Sequence, residues 1–125
     1  MQLTDNFHIK EFYCNDGTAI PRDYIANVVE LANNLQVLRD HIDAPIHILS
    51  AFRHTEYNKR IGGAKKSQHL TASAADIYCP IYTPAELYLF IEDLIAMGKM
   101  KDGGLGKYST FVHYDVREYR ARWNG

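Results

Sequence analysis

The most informative stretch of this 125-residue chain is Ser67-Gln68-His69-Leu70-Thr71-Ala72-Ser73-Ala74-Ala75-Asp76. His69 lies in a loop of small and polar residues, and Asp76 enters a short apolar strand just before Ile77. A carboxylate in a core strand is costly unless it is paired or binds a metal. The small residues between His69 and Asp76 let the loop fold back, so both side chains are expected to meet at one point.

A second informative segment is Phe111-Val112-His113-Tyr114-Asp115-Val116. Residues two apart on a strand face the same way, so His113 and Asp115 are predicted to share a face. Catalytic zinc needs three protein ligands and one open position for water, and a proton acceptor beside a ligand suits that chemistry. A lone strand histidine is more often structural than metal-binding, so the residues alone leave both interpretations open.

Hydrophobic periodicity and turn residues divide the chain into helices and strands. The predicted elements are a helix from about Pro21 to His41, a strand from Ile46 to Ser50, a short helix from Thr55 to Ile61, a strand from Ala74 to Cys79, a helix from Thr83 to about Met97 and a strand from Phe111 to Val116. The stretch 65–73 is predicted to be a loop, and the stretch 103–106 is predicted to be a flexible approach to the last strand. This order lacks strict βαβ alternation, which indicates an α+β fold with antiparallel strands and the long helices on one face.

Length and composition are those of an ordinary globular domain, and we expect a single domain over residues 1–125. The chain is 46% hydrophobic and 23% charged, with a net charge of −1. It has no basic patch, which argues against nucleic-acid binding. No apolar run approaches the roughly 20 residues of a membrane span, so we expect no membrane partner. The first residues lack the charged and apolar regions of a signal peptide.

Several other reactive or aromatic residues are expected to have structural roles. Surface or helix-end positions are predicted for His8, His41, His47 and His54. Ser67 is predicted to support the loop of His69 and Asn58 to bond a loop backbone, whereas packing roles are predicted for Tyr108, Tyr114 and Trp123. Cys14 and Cys79 are expected to be free or buried thiols, although the sequence alone leaves a disulfide between them open.

A series of motifs resembles the family of zinc D-Ala-D-Ala carboxypeptidases, and the short single-domain members of phages and bacteria are the most similar. The matching runs are Ser50-Ala51-Phe52-Arg53, Glu56-Tyr57-Asn58, Gly62-Gly63-Ala64, Ser67-x-His69, Ala74-x-Asp76-Ile77 and Phe111-Val112-His113-x-Asp115-Val116-Arg117. The resemblance covers nearly the whole chain, and the run from Ser50 to Asp76 is specific because many positions match in order.

The resemblance implies one zinc ion per chain, held by His69, Asp76 and His113. It also implies a small antiparallel sheet with helices packed on it, a fold shared with the Hedgehog signalling domain. Arg53 matches the family arginine that stabilises charge on the attacked carbonyl, a role that suits a permanently charged guanidinium.

Two positions depart from the family pattern. Ala72 replaces a glycine, which costs stability if the backbone there has a positive φ. Thr110 replaces a glutamate that serves several members as general base. Asp115 is therefore expected to be the general base; alternatively, it only orients His113 through the second ring nitrogen, and the base is then another group.

The resulting hypothesis is a zinc metallopeptidase that cuts a peptide bond in peptidoglycan stem or cross-link peptides through a zinc-activated water. It would be a D-Ala-D-Ala carboxypeptidase or an endolysin-like endopeptidase, made in the cytoplasm and acting on the cell wall as a monomer, in the manner of a phage or prophage lysis protein. One alternative is a catalytically impaired zinc-binding module that binds the cell wall or has a structural role. Another is a Hedgehog-like binding domain.

Overall fold

The computed structural model describes residues 1–125 and has an α+β architecture, as the sequence predicts. The helices are α1 (Ile25–Ile42), α2 (Thr55–Arg60) and α3 (Pro84–Ala96), and the strands are β1 (His47–Ser50), β2 (Ala74–Tyr78), β3 (Gly104–Lys107), β4 (Val112–Asp115) and β5 (Ala121–Asn124). Short 3₁₀ turns occupy Ile9–Phe12, Arg22–Tyr24 and Gln68–Thr71. None of the helices has both the length and the apolar character needed to cross a membrane.

The five strands form one sheet in the order β1-β2-β4-β3-β5. All neighbours are antiparallel except β3 and β5, which run parallel. In the central pair, Asp76 on β2 lies directly across from His113 on β4. Two segments that are far apart in sequence therefore become cross-strand neighbours, which brings the side chains of the predicted site together.

The core lies where α1 and α3 pack against each other and α3 packs on the sheet. It contains 27 buried residues, including the predicted inward residues Val28, Leu35 and Leu38 of α1. α3 starts as the sequence predicts, because Thr83 and Glu86 form a capping box around a proline at the first helical position. This core fixes the sheet from one side and leaves the face that carries Asp76 and His113 for the site.

The stretch 103–106 was expected to be a flexible approach, and this prediction is wrong: Gly104–Lys107 forms β3. A Cβ atom at Gly104 would overlap the carboxylate of Asp115, and one at Gly106 would overlap the ring of Trp123. Glycine has a low strand propensity. A strand that needs glycine because a neighbouring side chain lies against its backbone therefore cannot be recognised from local sequence. β5 was also not predicted; its four residues pair in parallel with β3, a partner that local sequence does not reveal.

Ala72, which stands where the family pattern has a glycine, adopts the left-handed conformation. Its φ is +58°, and it ends the Gln68–Thr71 turn that carries His69. A left-handed backbone costs a residue with a Cβ about 1 kcal/mol. The Ala72 methyl group is also buried in the core, which recovers part of that cost.

Replacement of Ala72 by glycine should therefore be nearly neutral, unlike the same change at Ala75. Ala72→Gly relieves about 1 kcal/mol of strain but removes a buried methyl worth about 0.8 kcal/mol and adds chain entropy on unfolding. Ala75 is equally buried on β2 without a positive φ, so Ala75→Gly should cost about 1–2 kcal/mol. Urea unfolding of both variants measures the difference, and equal losses would show that Ala72 is not strained.

Candidate metal centre and cleft

The structure brings His69, Asp76 and His113 together at one point. All three side chains are almost fully buried, with 3%, 6% and 7% of their residue surfaces exposed. His69 Nε2 lies 3.3 Å and His113 Nδ1 lies 3.2 Å from the same oxygen of Asp76. One ligand atom from each residue lies within 4.8 Å of the other two. The loop and the two strands thus meet as the sequence analysis expected.

The second ring nitrogen of each histidine is already occupied. His69 Nδ1 donates to the carbonyl oxygen of Ala51 at 2.7 Å, because a carbonyl can only accept. His113 Nε2 lies 2.7 Å from the Asp115 carboxylate. When each ring is neutral and carries its proton on the nitrogen that faces away from Asp76, the other nitrogen presents a lone pair, and two imidazole nitrogens and a carboxylate oxygen converge. This donor set fits zinc with an open position, since each histidine is oriented from behind.

The electrostatics of this group favour the ionised form of Asp76. Burial lowers the pKa of His69, so its imidazole is held neutral. Burial also opposes the charged form of His113, but hydrogen bonds to Asp115 and Asp76 outweigh it and raise the pKa of His113. Burial disfavours the ionised Asp76, yet the two histidines hold its pKa well below the usual range. A bound cation would supply the same compensation for the carboxylate.

Asp115 lies behind His113 rather than beside the convergence point. Its carboxylate is fully buried and accepts hydrogen bonds from the Gly104 amide at 2.9 Å and from Arg117 Nε and Nη2 at 2.8 and 2.7 Å. It does not line the cleft. A general base for a water in the cleft needs access to that water. The geometry thus favours the alternative in which Asp115 orients His113 over the base role.

The three converging residues lie at the floor of an open cleft of about 450 Å³. The cleft is lined by Arg53, Gly63, Ala64, Lys66, Ser67, Gln68, His69, Asp76, Tyr108, Phe111, His113, Arg117 and Trp123. Arg53 is fixed by Ser50 Oγ at 3.0 Å and by an ion pair with Asp76 at 3.2 Å. Asp76 is the only carboxylate in the lining, and the exposed Thr110 is not part of it.

Tyr108 and Trp123 form part of an aromatic wall of the cleft. The sequence predicted that both would be packing residues, and the wall was not anticipated. The Trp123 ring, from β5, lies 4.9 Å from the His113 ring, and Trp123 Nε1 donates to Tyr108 Oη at 2.9 Å. Tyr108 stacks on Phe111 with ring centroids 4.4 Å apart. The available sequence signal was Gly106, whose missing side chain makes room for Trp123. Tyr114, in contrast, is a buried packing residue as predicted.

The supporting roles expected around the site are present. Ser67 Oγ accepts from the His69 amide at 3.1 Å and caps the turn that carries this histidine. Asn58 Nδ2 donates to the Ala64 carbonyl at 2.9 Å and fixes the loop between α2 and that turn. Cys14 and Cys79 are both free and buried.

A second group of potential ligands, Cys14, Asp16 and His54, lies outside the cleft. His54 caps α2, because its Nδ1 accepts a hydrogen bond from the Tyr57 amide. The ring proton of the neutral form is then on Nε2, which donates to Asp16. This hydrogen bond is the main reason why the pKa of Asp16 is lowered. His54 thus presents no lone pair to the group, which agrees with its expected helix-end role.

A buried His–Asp–His group below an open cleft can hold a metal ion and leave one position open for a water. A family model described as peptidase M15 matches residues 5–115. The chain therefore belongs to the peptidase M15 family of zinc peptidases, as the resemblance in sequence implied. No curated protein matches the chain. Arg117 and Trp123 lie beyond the matched range, although both line the cleft.

The metal site predicts about one zinc ion per chain in the purified protein. His113→Ala should remove it, because only His69 and Asp76 would remain and two protein ligands hold zinc poorly. His47→Ala is the matched control, since His47 is an exposed histidine on β1 that stacks on Tyr78. Elemental analysis after zinc incubation and desalting measures the ratio. Full zinc retention in His113→Ala would contradict the site.

The position of Asp115 predicts that Asp115→Asn weakens zinc binding about tenfold to a hundredfold, because the charge that orients His113 is lost. Competition with a chromogenic chelator measures the affinity. Asp102→Asn is the control, since Asp102 pairs with Arg120 and Arg122 away from the cleft. An unchanged zinc affinity together with lost turnover would instead support a direct proton-transfer role for Asp115.

Proposed function

We propose that this protein is a zinc-dependent peptidase that hydrolyses a peptide bond in peptidoglycan stem or cross-link peptides. It acts as a D-Ala-D-Ala carboxypeptidase or as an endopeptidase of the endolysin type. The observation that carries this proposal is the convergence of His69, Asp76 and His113 at the floor of an open cleft, next to Arg53. Membership of the M15 family supports it.

In this proposal His69, Asp76 and His113 hold the metal, and Ala51 and Asp115 fix the two rings. Bound zinc supplies Lewis-acid polarisation of the substrate carbonyl and lowers the pKa of a water toward about 7. The cleft provides room for an extended peptide between the aromatic wall and the loop of residues 63–66. Because the ligands are buried, they exclude water from the side of the metal that faces away from the cleft.

Arg53 is proposed to stabilise negative charge that develops on the attacked carbonyl oxygen. Its guanidinium is held at three points, by Ser50, Asn58 and Asp76, so it is oriented before substrate arrives. Preorganised donors of this kind cost little reorganisation during the reaction. Only 14% of the side chain is exposed, which strengthens its electrostatic effect on a group in the cleft.

Asp115 is proposed to be a positioning residue for His113, since its carboxylate is occupied by His113, Arg117 and the Gly104 amide. The cleft lining then holds no carboxylate that is free to accept a proton. This observation favours one second candidate function, a zinc-binding module that recognises the cell wall with little or no turnover. In that case zinc mainly adds to the stability of the fold.

We further propose that the protein acts on the cell wall as a monomer, as a phage or prophage lysis protein. The resemblance to short phage and bacterial members supports this setting. The net charge of −1 gives no support for a nucleic-acid partner.

Incubation of the zinc-loaded protein with purified peptidoglycan and with synthetic stem peptides should release D-alanine or stem fragments, and a chelator should stop the release. Arg53→Lys should lower kcat about a hundredfold, because it removes the fixed fork of donors at the developing charge. Arg60→Lys, a change on the exposed end of α2, is the matched control. Mass spectrometry of the products measures both effects and identifies the bond.

The outcomes separate the two candidate functions. Zinc-dependent cleavage supports the peptidase. Co-sedimentation with peptidoglycan without any cleavage supports the binding module. Absence of both cleavage and binding would sink both candidates.

A further inference from the structure

The cationic side chains of the cleft differ in how their charges are compensated. Arg53 pairs with Asp76, and Arg117 pairs with the buried Asp115 through two nitrogens. Lys66 also lines the cleft, but it is exposed and forms no ion pair or hydrogen bond. It is therefore the cation of the cleft whose charge is not compensated within the protein.

The cleft as a whole is more positive than the rest of the chain. Its lining contains three cationic side chains and the Asp76 carboxylate, and Asp115 behind the lining offsets Arg117, so the charge of Lys66 remains as a surplus, whereas the whole protein has a net charge of −1. A divalent ion held by Asp76 would increase this surplus. A concave site lined by charge of one sign concentrates ligands of the opposite sign. An anionic peptide is therefore the substrate that matches the cleft.

The loop that carries Lys66 is anchored on both sides of this residue. The loop base is held by the hydrogen bond from Asn58 to the Ala64 carbonyl. A Cβ atom at Gly63 would overlap the Asn58 amide, so the loop packs closely on α2. Directly after Lys66, Ser67 caps the turn of His69. The lysine is thus three residues from a metal ligand, on the rim beside the reaction centre.

We propose that Lys66 is a specificity-determining residue that binds a carboxylate of the substrate peptide, so that free-acid peptides are preferred over their amidated forms. This inference rests on the proposed peptidase function. The carboxylate has two chemical sources in a stem peptide, the free C-terminus and the side chain of an acidic residue. Both are neutral when amidated, and both would place a negative charge near the scissile bond.

Three synthetic stem peptides of one sequence test the proposal: the free acid, the C-terminal amide and the side-chain carboxamide. Trp123 is the only tryptophan of the chain and lies in the cleft, so its fluorescence reports binding. Rapid mixing of each peptide with the zinc-loaded protein gives its affinity before any cleavage. Wild type should bind one of the amides about threefold to fivefold more weakly than the acid, as expected for a partly exposed ion pair.

Lys66→Gln should abolish this preference, and Lys65→Gln should retain it. Lys65 is an exposed neighbour of the same charge that does not line the cleft, which makes it the matched control. The preference should also weaken as salt is raised, because salt screens exposed charges. Whichever amide loses affinity identifies the source of the carboxylate.

Equal affinity of wild type for all three peptides, or no binding of any of them, would overturn the proposal. A preference that persists in Lys66→Gln would overturn the role of Lys66 and point to the metal or the arginines. These results are independent of turnover. Cleavage without a preference for the free acid would overturn only the role of Lys66. A preference for the free acid in binding, without cleavage, would overturn only the peptidase function.

Discussion

The cross-strand pairing of Asp76 with His113 is the constraint on which the rest of this structure depends. A shift of one residue in either β2 or β4 would turn Asp76 or His113 to the opposite face of the sheet and separate the two side chains, because side chains alternate along a strand. The register is held from the other face, where Ile77 and Tyr114 are completely buried in the core. The apolar packing that stabilises the fold therefore also sets the geometry of the metal site.

Around this pair, each buried charge is compensated by hydrogen bonds and ion pairs with its neighbours. Asp76 faces two histidines and Arg53, and Asp115 behind His113 is matched by Arg117 and by the Gly104 amide. A buried carboxylate that lost its partners would carry a large desolvation penalty, so each charge depends on its neighbours. The glycines of β3 belong to this arrangement, since a side chain at position 104 would occupy the place of the Asp115 carboxylate.

The candidate metal ligands and the cleft residues Lys66 and Trp123 lie on different kinds of structure. Asp76 and His113 come from the central strands, and His69 comes from a capped turn, all of them buried. Lys66 lies on a loop, and Trp123 lies on an edge strand beyond the range matched by the family model. A rigid sheet can hold one chemistry while loops and edges vary, which allows related chains to differ in substrate.

The sequence by itself determined the helices and the α+β class, because periodicity and capping residues are local properties, and its resemblance to a known family supplied the candidate ligands. The resemblance also marked Ala72 as a position where a positive φ would cost stability, and the backbone there has one. Only the tertiary structure decided that Gly104–Lys107 is a strand, that Trp123 forms a wall of the cleft and that Asp115 lies behind His113 rather than beside the cleft. The physical reason is that these features depend on strand pairing and depth of burial, which are set by residues distant in sequence.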